Sequence, residues 1–258
     1  MEFVEKLQLT TQPFEVDFRG KMTMSLIINN LLNVAGTHAN RRGFGISRLN
    51  EEGHTWVLSR LALELKEFPQ TDDKIVFETW VESLMRTFTL RNFAIKKEDG
   101  SIIGYARTIW AMIDTTTRKP LNLVGIGIEP YLTDIDCPIE KAGKIAVPDE
   151  YEESFFTVKY SDVDINQHLN SAKYVEHILD VFTLHEFSKR DIHRFEIEFI
   201  DECFFGETIK IRKTEISETE FVVILENNEK KVVCKSRILF SGAGEEKRGK
   251  NHKIRSQQ

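Results

Sequence analysis

One order of elements occurs twice along this chain, and nothing else in its 258 residues restricts the fold so tightly. The order is a short alternating strand, a long apolar helix, then a run of antiparallel strands. In the first pass, Phe14-Glu15-Val16-Asp17-Phe18 alternates as a strand does, and Leu26, Ile27, Leu31, Leu32 and Ala35 mark a helix over 25–40. A glycine-containing loop at 41–53 leads to strand-like segments at 55–68, 74–83, 87–97 and 101–114, with Asp99-Gly100 as a hairpin turn. In the second pass, Phe156-Thr157-Val158-Lys159-Tyr160 alternates in the same way. A helix over 170–187 carries Ala172, Val175, Leu179 and Phe182, and Tyr174, Ile178 and Val181 widen its apolar stripe. Strands follow at 195–200, 207–214, 219–227 and 231–240, with a turn at Asn227-Asn228-Glu229. Phe195, Ile197 and Phe199 alternate with Glu196 and Glu198, the pattern of a half-buried antiparallel strand.

An antiparallel sheet wrapped around one long helix is the hot-dog arrangement. The expected fold is therefore α+β, a tandem (double) hot-dog. Its units are 1–133 and 151–241, joined by a linker at 134–150 that holds Pro138, Gly143 and Pro148 and followed by a charged tail at 242–258. A single unit leaves a sheet edge open, and pairing two units covers it. Here the pair can form within one chain, and a homodimer of such chains is compatible with the same pattern. The rival is one α+β domain with a single long sheet.

Composition narrows the function. Hydrophobic residues at 41% and charged residues at 29% describe a globular protein. The 18 Phe, against 5 Tyr and 3 Trp, call for a large core or an apolar pocket. No apolar run is long enough to span a bilayer, so no membrane partner is expected. Met1-Glu2-Phe3-Val4-Glu5 opens acidic and polar, so neither a signal nor a transit peptide is expected. Three Cys without a CxxC pair exclude a disulfide framework and point to reducing cytoplasm. A net charge of −6 argues against a nucleic-acid partner.

The richest polar segment, Asp162-Val163-Asp164-Ile165-Asn166-Gln167-His168-Leu169-Asn170-Ser171, lies between a strand and the second helix. Asp164, Asn166 and His168 are two apart and can converge on one pocket from an extended loop. His exchanges protons near neutral pH, and Asn polarises a carbonyl or orients a water. A helix start adds free N–H groups and a positive dipole end for an oxyanion. Asp162, Asp164 and Asn166 also match the start of a calcium loop, but Gln167 and Lys173 stand where that loop needs Gly and Glu. Zinc would require further His or Cys at ligand spacing. On composition alone the segment reads equally as a helix cap closed by Asn170 or Ser171. Glu202 and Cys203, at the end of the strand after the second helix, pair a carboxylate with a thiol and suit a base and a nucleophile. A solvated acid beside a buried Cys is the plainer account.

Asp-x-Asp-x-Asn-Gln-His-x-Asn-x-x-x-Tyr, at Asp162 to Tyr174, resembles the signature of the fatty acyl-[acyl-carrier-protein] thioesterases, as does the strand ending in Glu202-Cys203. Trp56-Val57-Leu58-Ser59-Arg60, Phe68-Pro69 and Glu78-Thr79-Trp80-Val81 resemble that family's first repeat. So do Tyr105 to Met112 and Thr117-Arg118-Lys119-Pro120, and the similarity runs from Phe14 to Phe240.

The resemblance implies a bacterial-type, cytoplasmic hydrolase of acyl-carrier-protein thioesters that releases fatty acid and carrier. It maps Asp164, Asn166 and His168 onto the catalytic loop, and Glu202 and Cys203 onto the remaining catalytic pair. The first unit would bind the acyl chain and the second would carry the catalytic residues. No cofactor is required, because a thioester has a good leaving group. Glu202 is expected to activate water, with His168 and Asn166 orienting and Asp164 fixing the loop. The rival scheme makes Cys203 the nucleophile and His168 its base. In the first repeat, Arg19 to Ser25 occupies the matching stretch without the Asp-Asn-His set, which implies one site per chain. Leu26, Ile28, Leu32 and Trp56 are candidate pocket walls, each equally readable as core. Arg41, Arg42 and Lys173 are candidates to meet the acidic carrier or its phosphopantetheine phosphate. The competing functions are an acyl-CoA thioesterase, a non-catalytic acyl-binding protein and a hot-dog dehydratase.

Overall fold

The computed structural model describes residues 3–242, so all but the first residue of the expected tail lies outside the described residues. The first half contains β1 (Glu5–Thr10), α1 (Met24–Arg41), α2 (Ile46–Glu51), β2 (His54–Leu65), β3 (Lys74–Leu84), β4 (Phe88–Lys97) and β5 (Ile102–Asp114). The second contains β6 (Glu152–Thr157), α3 (Ser171–Leu179), α4 (Leu184–Lys189), β7 (Ile192–Phe199), β8 (Thr208–Ser217), β9 (Glu220–Glu226) and β10 (Val232–Phe240).

All ten strands join one antiparallel sheet in the order β1-β3-β4-β5-β2-β7-β10-β9-β8-β6. The two halves are mirror images in strand order and meet at β2 and β7. Each half curls around its own helix, which gives the tandem hot-dog. The junction pairs Arg60 with Glu198 and Glu64 with Arg194, around Ala62 opposite Glu196. Salt bridges join both charged pairs, Arg60–Glu198 at 2.6 Å. The junction covers two strand edges that each unit alone would leave open.

Period-two alternation sends Ile75 and Phe77 of β3 and Phe93 and Ile95 of β4 inward. There they meet Ile27, Ile28, Leu31 and Val34 of α1. Tyr174, Val175 and Ile178 of α3 join the same cluster, so both helices share one core. Residues 134–150 contain no strand or helix and cross the opposite face of the sheet. Cys137 and Ile139 pack on Trp80 there. Ile145 packs on Val222 and Ile224.

Three expectations are corrected. Phe14 to Phe18 is not a strand: Pro13–Glu15 forms a 3₁₀ turn, and Phe14 and Phe18 are 86% and 55% exposed. Proline starts that turn, and the first strand is Glu5–Thr10 upstream. Its counterpart, Phe156 to Tyr160, is strand only through Thr157. The second helix stops at Leu179, and α4 begins afresh at a capping box in which Thr183 and Glu186 bond each other's backbone N–H.

Candidate active site

The loop carrying Asp164, Asn166 and His168 is built twice. Asp164 Oδ1 accepts the N–H groups of Asn166 at 2.8 Å and His168 at 3.4 Å. In the first half, Asp17 Oδ1 accepts those of Arg19 at 2.8 Å and Lys21 at 3.2 Å. Both loops turn through a left-handed residue, Gln167 at φ 66° and Gly20 at φ 74°. Leu169 N–H donates to Cys203 O at 2.8 Å, as Met22 N–H donates to Pro69 O at 2.7 Å. Each loop ends on a helix cap. Asn170 Oδ1 accepts Ala172 N–H at 2.8 Å, and Thr23 Oγ1 accepts Leu26 N–H at 3.4 Å.

The side chains on this shared frame differ. In the second half His168 Nδ1 lies 3.1 Å from Glu202 Oε1. A carboxylate only accepts, so this contact favours a proton on Nδ1 and leaves Nε2 as the nitrogen able to accept. The His168 ring also stands edge-on to Phe204, with centroids 5.0 Å apart. Arg118, from the turn after β5 in the other half, forms an ion pair with the same Glu202 oxygen. This is the geometry of an orienting acid behind an imidazole base. Both contacts fall on Glu202 Oε1, and Oε2 has no hydrogen-bond partner among the described residues. In the first half Lys21, Arg19, Phe68 and Pro69 stand at the places of His168, Asn166, Glu202 and Cys203. Lys21 and Arg19 bind Asp191 at 2.5 and 2.7 Å and so tie the halves together.

Cys203 is fully buried, and burial pushes its thiol up to about 11. Asn166 is exposed on the loop. At the helix start two N–H groups are already bonded within the cap. Ala172 N–H is taken by Asn170 Oδ1, and Lys173 N–H by Asn170 O at 2.9 Å.

The candidate binding residues are dispersed. Ile28 is fully buried in the shared core, with Leu26 and Leu32 packed at its margin. Trp56 belongs to other clusters, with Phe44 and Leu49, and donates to Phe44 O at 2.8 Å. An apolar cavity of about 270 Å³ lies instead beside the first-half loop, lined by Phe18, Met22, Met24, Phe68, Leu179 and Phe182 among others. Arg41 and Arg42 both bind Glu5. The Arg42 side chain is only 8% exposed and stacks on Tyr131, so the expectation that it meets a carrier on the surface is corrected. Lys173 pairs with Glu176 at 2.6 Å. Arg118, the cation at the site itself, enters the sequence reading only within Thr117-Arg118-Lys119-Pro120; its partner is 84 residues away. Among the described residues no group of His, Cys, Asp and Glu is placed to hold a metal ion. Nor, among them, is any helix long and apolar enough to cross a membrane.

Residues 3–126 match the acyl-ACP thioesterase N-terminal domain and 145–257 the acyl-ACP thioesterase C-terminal domain. The chain therefore belongs to the acyl-ACP thioesterase family. It resembles the crystal structure of an acyl-ACP thioesterase from Bacteroides thetaiotaomicron, with a TM-score of 0.89 and 47% identity over 93% of this chain and 98% of that one. The 12:0-ACP thioesterase from Umbellularia californica shares the fold, with a TM-score of 0.82 and 20% identity over 93% of this chain and 98% of that one. The chloroplastic oleoyl-acyl carrier protein thioesterase 2 of Arabidopsis thaliana is 24% identical over 222 residues, 78% of this chain and 60% of that protein. The chain thus spans well under two thirds of the curated relatives it matches first, between 52% and 60% of their length.

Proposed function

We propose that this chain hydrolyses the thioester of fatty acyl-acyl-carrier-protein, releasing fatty acid and carrier, in the cytoplasm. The observation that carries the reading is the His168–Glu202 pair, 3.1 Å apart, on a loop whose counterpart in the other half lacks both residues. His168 Nε2 takes a proton from water as the water attacks the thioester carbon. The Asn166 carboxamide meets the carbonyl oxygen. When the tetrahedral intermediate collapses, the C–S bond breaks and the imidazolium returns its proton to the departing thiolate. Glu202 holds the ring and balances the imidazolium charge. Asp164 fixes the loop, and Cys203 supplies its carbonyl to Leu169 rather than its sulfur to the substrate. The first half, residues 1–133, receives the acyl chain, and the apolar cavity beside its loop, lined by Phe18, Met22, Met24 and Phe68 among others, supports that placement. Three free, buried cysteines are in keeping with a reducing compartment.

Purified protein is tested against matched acyl-carrier and acyl-CoA substrates over a range of chain lengths, read as free fatty acid. Carrier substrates are expected to be preferred, and His168→Ala to lower kcat by about 10²–10⁴-fold. A clear preference for CoA overturns the carrier assignment. Full turnover by His168→Ala overturns the base assignment.

A further inference from the structure

We infer that Arg118 is a positioning residue for the hydrolysis, delivered to the site by the half of the molecule that lacks the catalytic loop; the inference rests on the thioesterase reading above. Arg118 and His168 Nδ1 both engage Glu202 Oε1, and Oε2 has no hydrogen-bond partner among the described residues. Held by Arg118 from one half and faced by His168 at 3.1 Å from the other, Oε1 is restrained from rotating. Glu202 sits beyond the end of β7, outside the sheet ladder, where its own backbone holds it least. Its N–H is bonded only to the neighbouring Asp201 carboxylate, at 3.0 Å. Arg118 is the contact that gives the carboxylate a fixed place, and through it the imidazole.

Stability does not explain this contact. The Arg118 and Glu202 side chains are 43% and 29% exposed, and an ion pair so open to water adds little to folding. Yet Arg118 makes it from a left-handed backbone, φ 59°, which disfavours any side chain beyond glycine. The turn that imposes this conformation is fully bonded. Asp114 Oδ1 accepts the N–H groups of Thr116 at 3.0 Å and Thr117 at 2.6 Å. Asp114 O accepts Arg118 N–H at 2.9 Å, and Asp114 N–H donates to Lys119 O at 3.1 Å. A well-built turn thus presents a strained residue to a carboxylate across the junction between halves.

An exposed arginine at this mouth has a second chemistry open to it, binding the phosphate of the pantetheine arm. The test separates the two. Arg118→Gly suits the backbone angle, so its melting temperature should equal or exceed that of the unsubstituted protein. Its kcat on acyl-carrier substrate should fall by about tenfold to a hundredfold, with KM within about twofold. Arg118→Lys should recover part of kcat. In a Glu202→Ala background, Arg118→Gly should change kcat by less than about twofold, because nothing remains to position. A rise in KM at constant kcat, or an equal loss in the Glu202→Ala background, assigns Arg118 to the phosphate and overturns the inference. Unchanged kcat in Arg118→Gly overturns it as well. If the unsubstituted protein releases no fatty acid from any acyl-carrier substrate, the thioesterase reading itself fails, a result distinct from all of these.

Discussion

Replacing Cys203 by Ala tests whether the thiol takes part in the chemistry. The sulfur is fully buried, and burial raises the thiol to about 11. At pH 7.5 roughly 0.03% of it is thiolate, against about 10% for an ordinary cysteine near 8.5. The handicap is on the order of a hundredfold or more, or about 3 kcal/mol, before any attack begins. A hydrogen bond from Tyr174 lowers the thiol, but by less than burial raises it. A nucleophilic cysteine has the opposite surroundings, partly exposed and beside a cation or an imidazole. Removing the sulfur from a filled core should cost about 1 kcal/mol, a drop of about 2–4 °C in melting temperature for a chain of this size. The kcat of Cys203→Ala should stay within about tenfold of the unsubstituted protein. Fatty acid release and mass spectrometry of acid-quenched enzyme report both quantities. A loss of about 10³-fold or more with a normal melting curve, or an acyl adduct on Cys203, would falsify the water mechanism.

Two further outcomes follow from buried charges. Arg194 bonds Glu196 at 2.6 Å and also pairs with Glu64, all against the crossing segment. Arg194→Ala should destabilise by about 3–5 kcal/mol, because Glu196 is then a buried charge without its partner; denaturant titration checks it, and a loss below about 1 kcal/mol refutes it. Burial, then Arg91 and Arg42, hold the His38 imidazole down at about 3. The unfolded chain takes up this proton near pH 6.5 and the folded chain only near pH 3, so stability falls on acidification through that window. From pH 7 to pH 5 the unsubstituted protein should lose about 2 kcal/mol more than His38→Leu, and parallel pH slopes would contradict it.

What the sequence disclosed, and what it hid, divides by the range of the interaction. Strands β2 to β5 and β7 to β10 are legible because alternation and turn residues are local, as at Gly100 with φ 83°. Phe14, Val16 and Phe18 alternate equally well but do not share one buried face, since the first and last are exposed. The true first strand, Glu5–Thr10, is short and mostly polar, with Leu7 and Leu9 alone apolar, and it earns its place by pairing with β3. The break after Leu179 carried a local signal, Thr183 with Glu186 three residues on, which the continuous apolar stripe through Phe182 masks. Arg41 and Arg42 look like a free basic pair because Glu5, their partner, lies 36 and 37 residues away. Arg118 is hidden for the same reason. His168 and Glu202 are legible as candidates, but that they share one oxygen with Arg118 depends on the junction of the halves.

The duplicated loop supplies an internal control that separates scaffold from chemistry. What both halves retain is needed to form the loop. Asp17 caps the first loop as Asp164 caps the second, although the first lacks an imidazole. Asp164 is therefore a residue of loop geometry, and its substitution should act through the placement of Asn166 and His168. The place of Cys203 is held by Pro69, which has no reactive side chain, yet both accept one loop N–H through their carbonyls. The common duty of that position is a backbone acceptor, which agrees with a thiol kept buried and protonated. What only the second half has is an imidazole, a carboxylate behind it and an amide on the turn. The first half uses the same places for Lys21 and Arg19, bound to Asp191, and spends them on joining the two units. One frame thus serves cohesion on one side and proton transfer on the other, and Arg118 is where the two halves meet in the chemistry.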